Sequence, residues 1–275
     1  MTGADSRCLV LRLAGPVQSW GGGSMFNRRE TLTEPTKSGL IGLLAAAEGR
    51  RRADPIEDLL ALTFGVRTDQ PGTLLRDYHT VSDYRGRPLP SAAVTAKGLQ
   101  KLTSPAKYTH VTERFYLQDA VFVVAVAAPE PVLTTLVDAI RAPAFPLALG
   151  RRSCPPTQPL LLTPDDESGR PLWPGDVLDV LTAVPWAAGA AQIDRLAALR
   201  PQPRTVDLPV TVDDPHGEDV RMDLPTTFDP RTRAFSSRRV HQTWVHLPPP
   251  YDLVDLDDDA GGTGSSHDPF ALLGW

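Results

Sequence analysis

The chain has 275 residues, 41% of them hydrophobic and 22% charged, a globular profile large enough for one big domain or two modest ones. No apolar run approaches the roughly 18 residues of a membrane span. Met1–Asp5 reads as no secretory leader, and two cysteines, Cys8 and Cys154, form neither a disulfide framework nor a metal-ligand spacing.

A cytoplasmic protein that needs no metal or cofactor is therefore expected. The net charge of −5 argues against nucleic acid until the chain is divided. Residues 1–154 carry 19 Lys and Arg against 14 Asp and Glu, whereas residues 155–275 carry 9 against 19. A basic working half and an acidic half with another role are expected.

In chain order, Arg7–Leu13 places Leu9, Leu11 and Leu13 on one face and predicts a first strand. A glycine-rich loop, 15–33, follows with Trp20-Gly21-Gly22-Gly23 and Arg28-Arg29 in it. Pro35 opens a helix to about Glu48, with Thr36 or Ser38 as its cap and Leu40, Leu43 and Leu44 inward. A short helix over 55–63 precedes strands over 65–68 and 73–81. The polar span 82–111 predicts a projecting arm. Tyr116–Ala127 is the strongest strand signal; a helix over 131–141, with Val132, Leu136, Val137 and Ile140 inward, and a strand over 145–149 complete the half. The order β, α, β, β, α, β predicts an α+β, ferredoxin-like (RRM-like) domain over 1–160. Beyond it, β-prone runs at 177–181, 205–212, 220–227 and 234–247 predict a small β-rich domain over 161–250. Residues 251–275 predict an acidic, flexible tail.

Several constellations suit RNA. The Thr36-Lys37-Ser38 helix start offers free amides, a positive dipole end and a cation for an anion. It is equally an ordinary capped helix. Gln18-Ser19-Trp20 either presents an indole to a base or anchors its loop to the core. Arg28 and Arg29 suit phosphates, as does the Gly150-Arg151-Arg152-Ser153-Cys154 loop, stiffened by Pro155-Pro156. Arg76 and His79, with Lys107, Tyr108 and His110, flank the arm and can contact RNA or, with base, acid and cation converging, cleave it. His241 and His246, five apart on a strand, fall on opposite faces and make no metal site.

Five motifs recur in one order: Leu13-x-Gly15-Pro16-x-Gln18-Ser19-Trp20-Gly21, Pro35-Thr36-Lys37-Ser38-Gly39-Leu40-x-Gly42, Asp77-Tyr78-His79-Thr80, Arg114-x-Tyr116-Leu117-x-Asp119-Ala120, and Leu149-Gly150-Arg151-Arg152-Ser153-Cys154-Pro155. Together, over roughly residues 7–160, the chain resembles the RAMP-superfamily CasD subunits of the type I-E CRISPR surveillance complex, Cascade. The resemblance implies a ferredoxin-like domain with a protruding thumb (the 82–111 arm) plus a smaller β domain. It implies a ribonucleoprotein subunit of antiviral defence that caps the complex and holds the 5′ handle of the crRNA. Its partners would be a backbone RAMP subunit and the large subunit, with target DNA met indirectly through the complex. The handle-gripping regions carry over to Gln18, Ser19 and Trp20, to the 35–38 helix start, to Arg114 and to Gly150–Cys154. No catalytic residue is implied; the alternative is a metal-independent endoribonuclease that processes precursor crRNA, since a sister branch cuts with a Tyr, Lys and His set similar to Lys107, Tyr108 and His110.

Overall fold

The computed structural model of the chain describes residues 6–22, 27–83, 96–97, 108–165 and 170–250. Strand β1, Arg7–Ala14, buries both faces. Leu9, Leu11 and Leu13 point into one core and Cys8 and Val10 into another, as expected of a strand covered on two sides. The next elements are β2 (Val17–Gln18), β3 (Arg28–Arg29), α1 (Lys37–Ala47), α2 (Glu57–Leu60), β4 (Thr63–Gln70), β5 (Thr73–Asp83), β6 (Tyr108–Gln118), β7 (Val121–Ala127) and α3 (Glu130–Arg141). Then come β8 (Leu161–Leu162), β9 (Trp173–Pro174), α4 (Val177–Ala183), α5 (Ala190–Ala197), β10 (Val206–Asp213), β11 (Asp219–Thr227) and β12 (Ala234–Leu247).

Two sheets form a mixed α/β architecture in which nearly all pairing is antiparallel. The larger has eight strands in the order β11-β12-β10-β4-β7-β1-β8, with β9 also on β1. Helices α1 and α3 fill one side, over Leu9, Leu11, Leu13, Phe64, Phe122 and Val124. Helix α4 covers the other, over Cys8, Val10, Val123 and Ala125. Strand β10 pairs with β4, so the β-rich stretch after residue 160 continues the first sheet. The second sheet is centred on β6, flanked by β5 on one side and by β2 and β3 on the other. No helix among the described residues is long and apolar enough to cross a membrane.

Four local expectations need correction. The run 116–127 is two strands, because Asp119 takes a left-handed φ of 56° and its N–H is held by the Pro16 carbonyl. Asp tolerates that conformation, and the break lets β6 belong to one sheet and β7 to the other. Residues 145–149 are irregular; Pro143 and Pro146 supply no ladder donors, the Phe145 amide is held by Ala46 O, and the edge beside β1 is taken by β8. Residues 177–181 are helical because the Asp176 carboxylate caps the Leu178 and Asp179 amides at 2.9 Å. On α3 the inward residue is Leu133, whereas Val132 is exposed. The expected arm lies largely outside the described residues, as does the tail.

Candidate nucleic-acid interface

The β6 sheet separates side chains by strand alternation. The pairs Leu75–Tyr116, Asp77–Arg114 and His79–Thr112, together with Arg29–Arg114 from β3, put Arg29, Tyr116, Arg114, Asp77 and His79 on one face. The pairs Arg76–Phe115 and Tyr78–Glu113, with Arg28–Glu113, put Arg28, Arg76, Tyr78 and Phe115 on the other.

Side-chain contacts agree. Arg151 lies over the Tyr116 ring, 5.2 Å from its centre, and donates to the Arg29 carbonyl at 2.9 Å. Arg114 and Arg152 are exposed and form no ion pair among the described residues. Arg29, Arg114 and Arg151 therefore share one net cationic face, with Tyr116 beneath Arg151 and Asp77 opposite Arg114 in the register, and Arg152 is exposed next to Arg151 in the loop. On the opposite face Arg28 stacks on Phe115 at 5.0 Å and shares Glu113 with Arg76, at 3.8 and 3.6 Å. Arg28 is also paired with Glu30 at 3.0 Å, so two carboxylates offset the two guanidiniums there.

The other expected site residues lie inside the protein. Trp20 is fully buried; its indole N–H donates to Gln18 Oε1 at 3.1 Å, and Gln18 Nε2 donates to the Leu13 and Ala120 carbonyls. Such a satisfied polar pair is the signature of a core, so Trp20 anchors its loop and presents no face to a base. Ser19 is buried and donates to Phe115 O. A Cβ at position 39 would stand 2.8 Å from the Trp20 ring, and one at position 150 would stand 2.0 Å from the Ser19 carbonyl oxygen. Gly150 also has φ +84°. Three motifs of the sequence thus pack against one another, and the knot they form positions the Arg151 loop beside β3 and β6.

At the helix start the anion is already present. Thr36 caps the Gly39 amide at 3.1 Å, with Ser38 Oγ bonded to Thr36. The Lys37 amide donates to Asp223 at 2.8 Å, and Lys37 Nζ donates to Asp213 at 2.8 Å and to Leu62 O at 2.9 Å. Arg238 is paired with both Asp213 and Asp223. Two cations and two carboxylates close a buried lock between α1 and β10–β12, so Thr36, Lys37 and Ser38 serve the fold and present no free charge to RNA.

Cys154 is buried at the end of the arginine loop, its amide donating to Arg151 O and its carbonyl accepting from Leu149. Ser153 contacts its sulfur. Burial pushes the Cys154 thiol up, and burial, reinforced by Asp176 and Asp179, pushes Cys8 to about 12. Both stay protonated near neutrality and unsuited to nucleophilic or ligand roles. His79 is exposed on the cationic face; Tyr108 pairs with Asp83 in the backbone register, and Lys107 lies outside the described residues. No group of three His, Cys, Asp or Glu placed to hold a metal occurs among the described residues. His241 and His246 pair with Val212 and Asp207, an odd separation that puts them on opposite faces.

Tyr116, Phe115 and Glu113 were missed as participants, although Glu113-Arg114-Phe115-Tyr116 puts one charge and one aromatic on each face of a strand. Asp213, Asp223 and Arg238 carry no local signal at all.

Residues 8–241 match the model of a family described as CRISPR-associated protein (Cas_Cas5). The chain is 40% identical over 173 residues to the CRISPR system Cascade subunit CasD of Escherichia coli (strain K12), covering 56% of this chain and 69% of that protein. It also resembles a chain of a solved CRISPR RNA-guided surveillance complex, with TM-score 0.66 and 36% identity over 88% of this chain and 91% of that one. A crystal structure of a Cas protein is similar with TM-score 0.58 and 31% identity, over 88% and 96% of the two chains.

Proposed function

The chain belongs to the Cas5 family of CRISPR-associated proteins, and from that premise we propose that it is a non-catalytic subunit of a type I-E Cascade that binds the 5′ handle of the crRNA. The handle lies on the face carrying Arg29, Arg114, Arg151 and Arg152. The placement of Arg114 and Arg151 on the Tyr116 face, with Arg151 stacked on that ring, carries this reading. Single-stranded RNA is held by backbone neutralisation and by stacking on aromatic or guanidinium planes. Those are the groups gathered here, in a half of the chain with a surplus of cations. The subunit caps the complex beside a backbone RAMP subunit and the large subunit, in the cytoplasm, and meets target DNA through the assembly in antiviral defence.

We read the β4-β7-β1-β8 block with α1 and α3 as its ferredoxin-like core, residues 1–160 as the guide-holding unit and the paired β5–β6 strands as the root of the thumb. Residues 161–250 form a β-rich extension that shares the core's sheet.

Purification of the assembly from its host tests the reading. A short RNA with one uniform, repeat-derived 5′ end should accompany the chain. The isolated chain should leave a repeat RNA intact in EDTA. Specific cleavage lost on replacing Lys107, Tyr108 or His110 would establish the nuclease alternative instead.

A further inference from the structure

Away from that face, the acidic half of the chain holds a concentrated basic feature. Five of its nine basic residues fall between positions 221 and 239, against Asp223 and Asp229 in the same span, with Arg221 paired to Glu34 at 3.0 Å. Asp223 is consumed in the buried lock with Lys37 and Arg238. Asp229 shapes the β11–β12 turn, its carboxylate accepting the Arg231 amide at 2.8 Å and its carbonyl the Thr232 amide, which leaves one carboxylate beside two arginines. What the turn offers to solvent is Arg231, Thr232 and Arg233, all exposed, with neither arginine in an ion pair among the described residues. Arg233 is stacked 5.0 Å over the Phe235 ring, which restrains its guanidinium.

The turn is rigidly mounted. Arg238, five residues along β12, is clamped by Asp213 and Asp223, and Arg239 donates to Gly217 O at 3.0 Å. It also lies apart from the guide face. Strand β12 runs parallel to β4, since each is antiparallel to β10, and Val240 is level with Asp213, beside Phe64 near the Thr63 end of β4. The turn precedes Ala234, so it lies six or more residues further out, roughly 20 Å at the rise of a strand. The β5 and β6 strands leave the main sheet at its other end, next to Gln70 and Val121.

We propose that the Arg231–Arg233 turn is a second nucleic-acid contact, gripping the phosphate backbone of the target DNA directly. The inference rests on the Cascade reading above. Two unpaired guanidiniums one residue apart on a stiff hairpin turn suit successive phosphates of one strand, and a hydroxyl between them adds a donor. The 5′ handle is already engaged at the far end of the sheet, so the phosphates available here are those of the surveyed DNA. Binding through phosphates would be insensitive to sequence and steep in salt.

The test uses the assembled complex with wild-type chain or with Arg231→Ala and Arg233→Ala together. Two quantities are read: guide RNA per complex, and affinity for a matched DNA duplex across a salt series. The expected result is unchanged guide content, a roughly tenfold loss of DNA affinity near physiological salt, and a salt slope shallower by about two. Unchanged DNA affinity and slope would overturn the proposal. Loss of guide RNA from the variant would overturn it too, by assigning the turn to the handle, and loss of a protein subunit would assign it to a protein partner. A wild-type complex that carries no guide would instead sink the underlying reading, which keeps the two failures apart.

Discussion

Asp213→Ala should destabilise the protein by about 3–5 kcal/mol, the cost of removing one partner from a buried ion pair. The Asp213 carboxylate accepts from Lys37 Nζ, from the Phe64 amide at 2.9 Å and from Arg238. Without it, two nearly enclosed cations face each other with Asp223 as their remaining counter-charge among the described residues, and the β4 amide loses its acceptor. The loss is read from the urea midpoint at constant slope. Lys37→Met with Asp213→Leu should cost clearly less than Asp213→Ala, because replacing both partners leaves no stranded charge. A loss below about 1 kcal/mol for Asp213→Ala, the range of exposed pairs, would mean that water reaches the lock. The same experiment separates two meanings of Lys37. If Lys37 holds the fold, Lys37→Met lowers stability and leaves RNA affinity of the folded protein unchanged.

Arg114→Ala, Arg151→Ala and Arg152→Ala combined should weaken guide RNA retention by roughly a hundredfold or more and flatten its salt dependence by about two units of slope, as each single-strand phosphate contact contributes about 0.7. Stability should change little through Arg114 and Arg152, which are exposed and form no ion pair among the described residues. Arg151 touches Tyr116 and the Arg29 carbonyl, so part of its effect passes through the loop. Arg28→Ala with Arg76→Ala, on the opposite face, is the matched control and should have a smaller effect. Equal losses per arginine from the triple and the double variant would mean that the two faces are not distinguished by RNA.

Much of the scaffold was legible because it is written locally. β1, α1, α3 and β4 announce themselves by periodicity, and Thr36 by its capping position. The break at Asp119 was not legible, since Leu117, Ala120 and Val121 continue an apolar run across it and the left-handed turn depends on Pro16, a hundred residues earlier. Trp20 was ambiguous for a related reason. An indole among glycines reads the same whether the glycines are flexible or are clearing space for it, and only the contact with Gly39 decides. The helix start was legible as an anion site, and an anion does occupy it. That anion is Asp223, 186 residues away, and no spacing argument reaches it. The arginines of 151–152 and Arg114 were legible by residue type; that Arg114 and Arg151 share a face required the β6 register and the stacking of Arg151 on Tyr116.

The central claim is where the 5′ end of the guide rests. A reconstituted complex whose guide carries 4-thiouridine within its 5′ handle, irradiated and mapped by mass spectrometry, tests it most directly. Cross-links should fall in peptides containing Arg29, Arg114 to Tyr116 and Arg151–Arg152. Adducts confined to the α3–β8 side or to α4 and α5, with none on those three segments, would contradict the account.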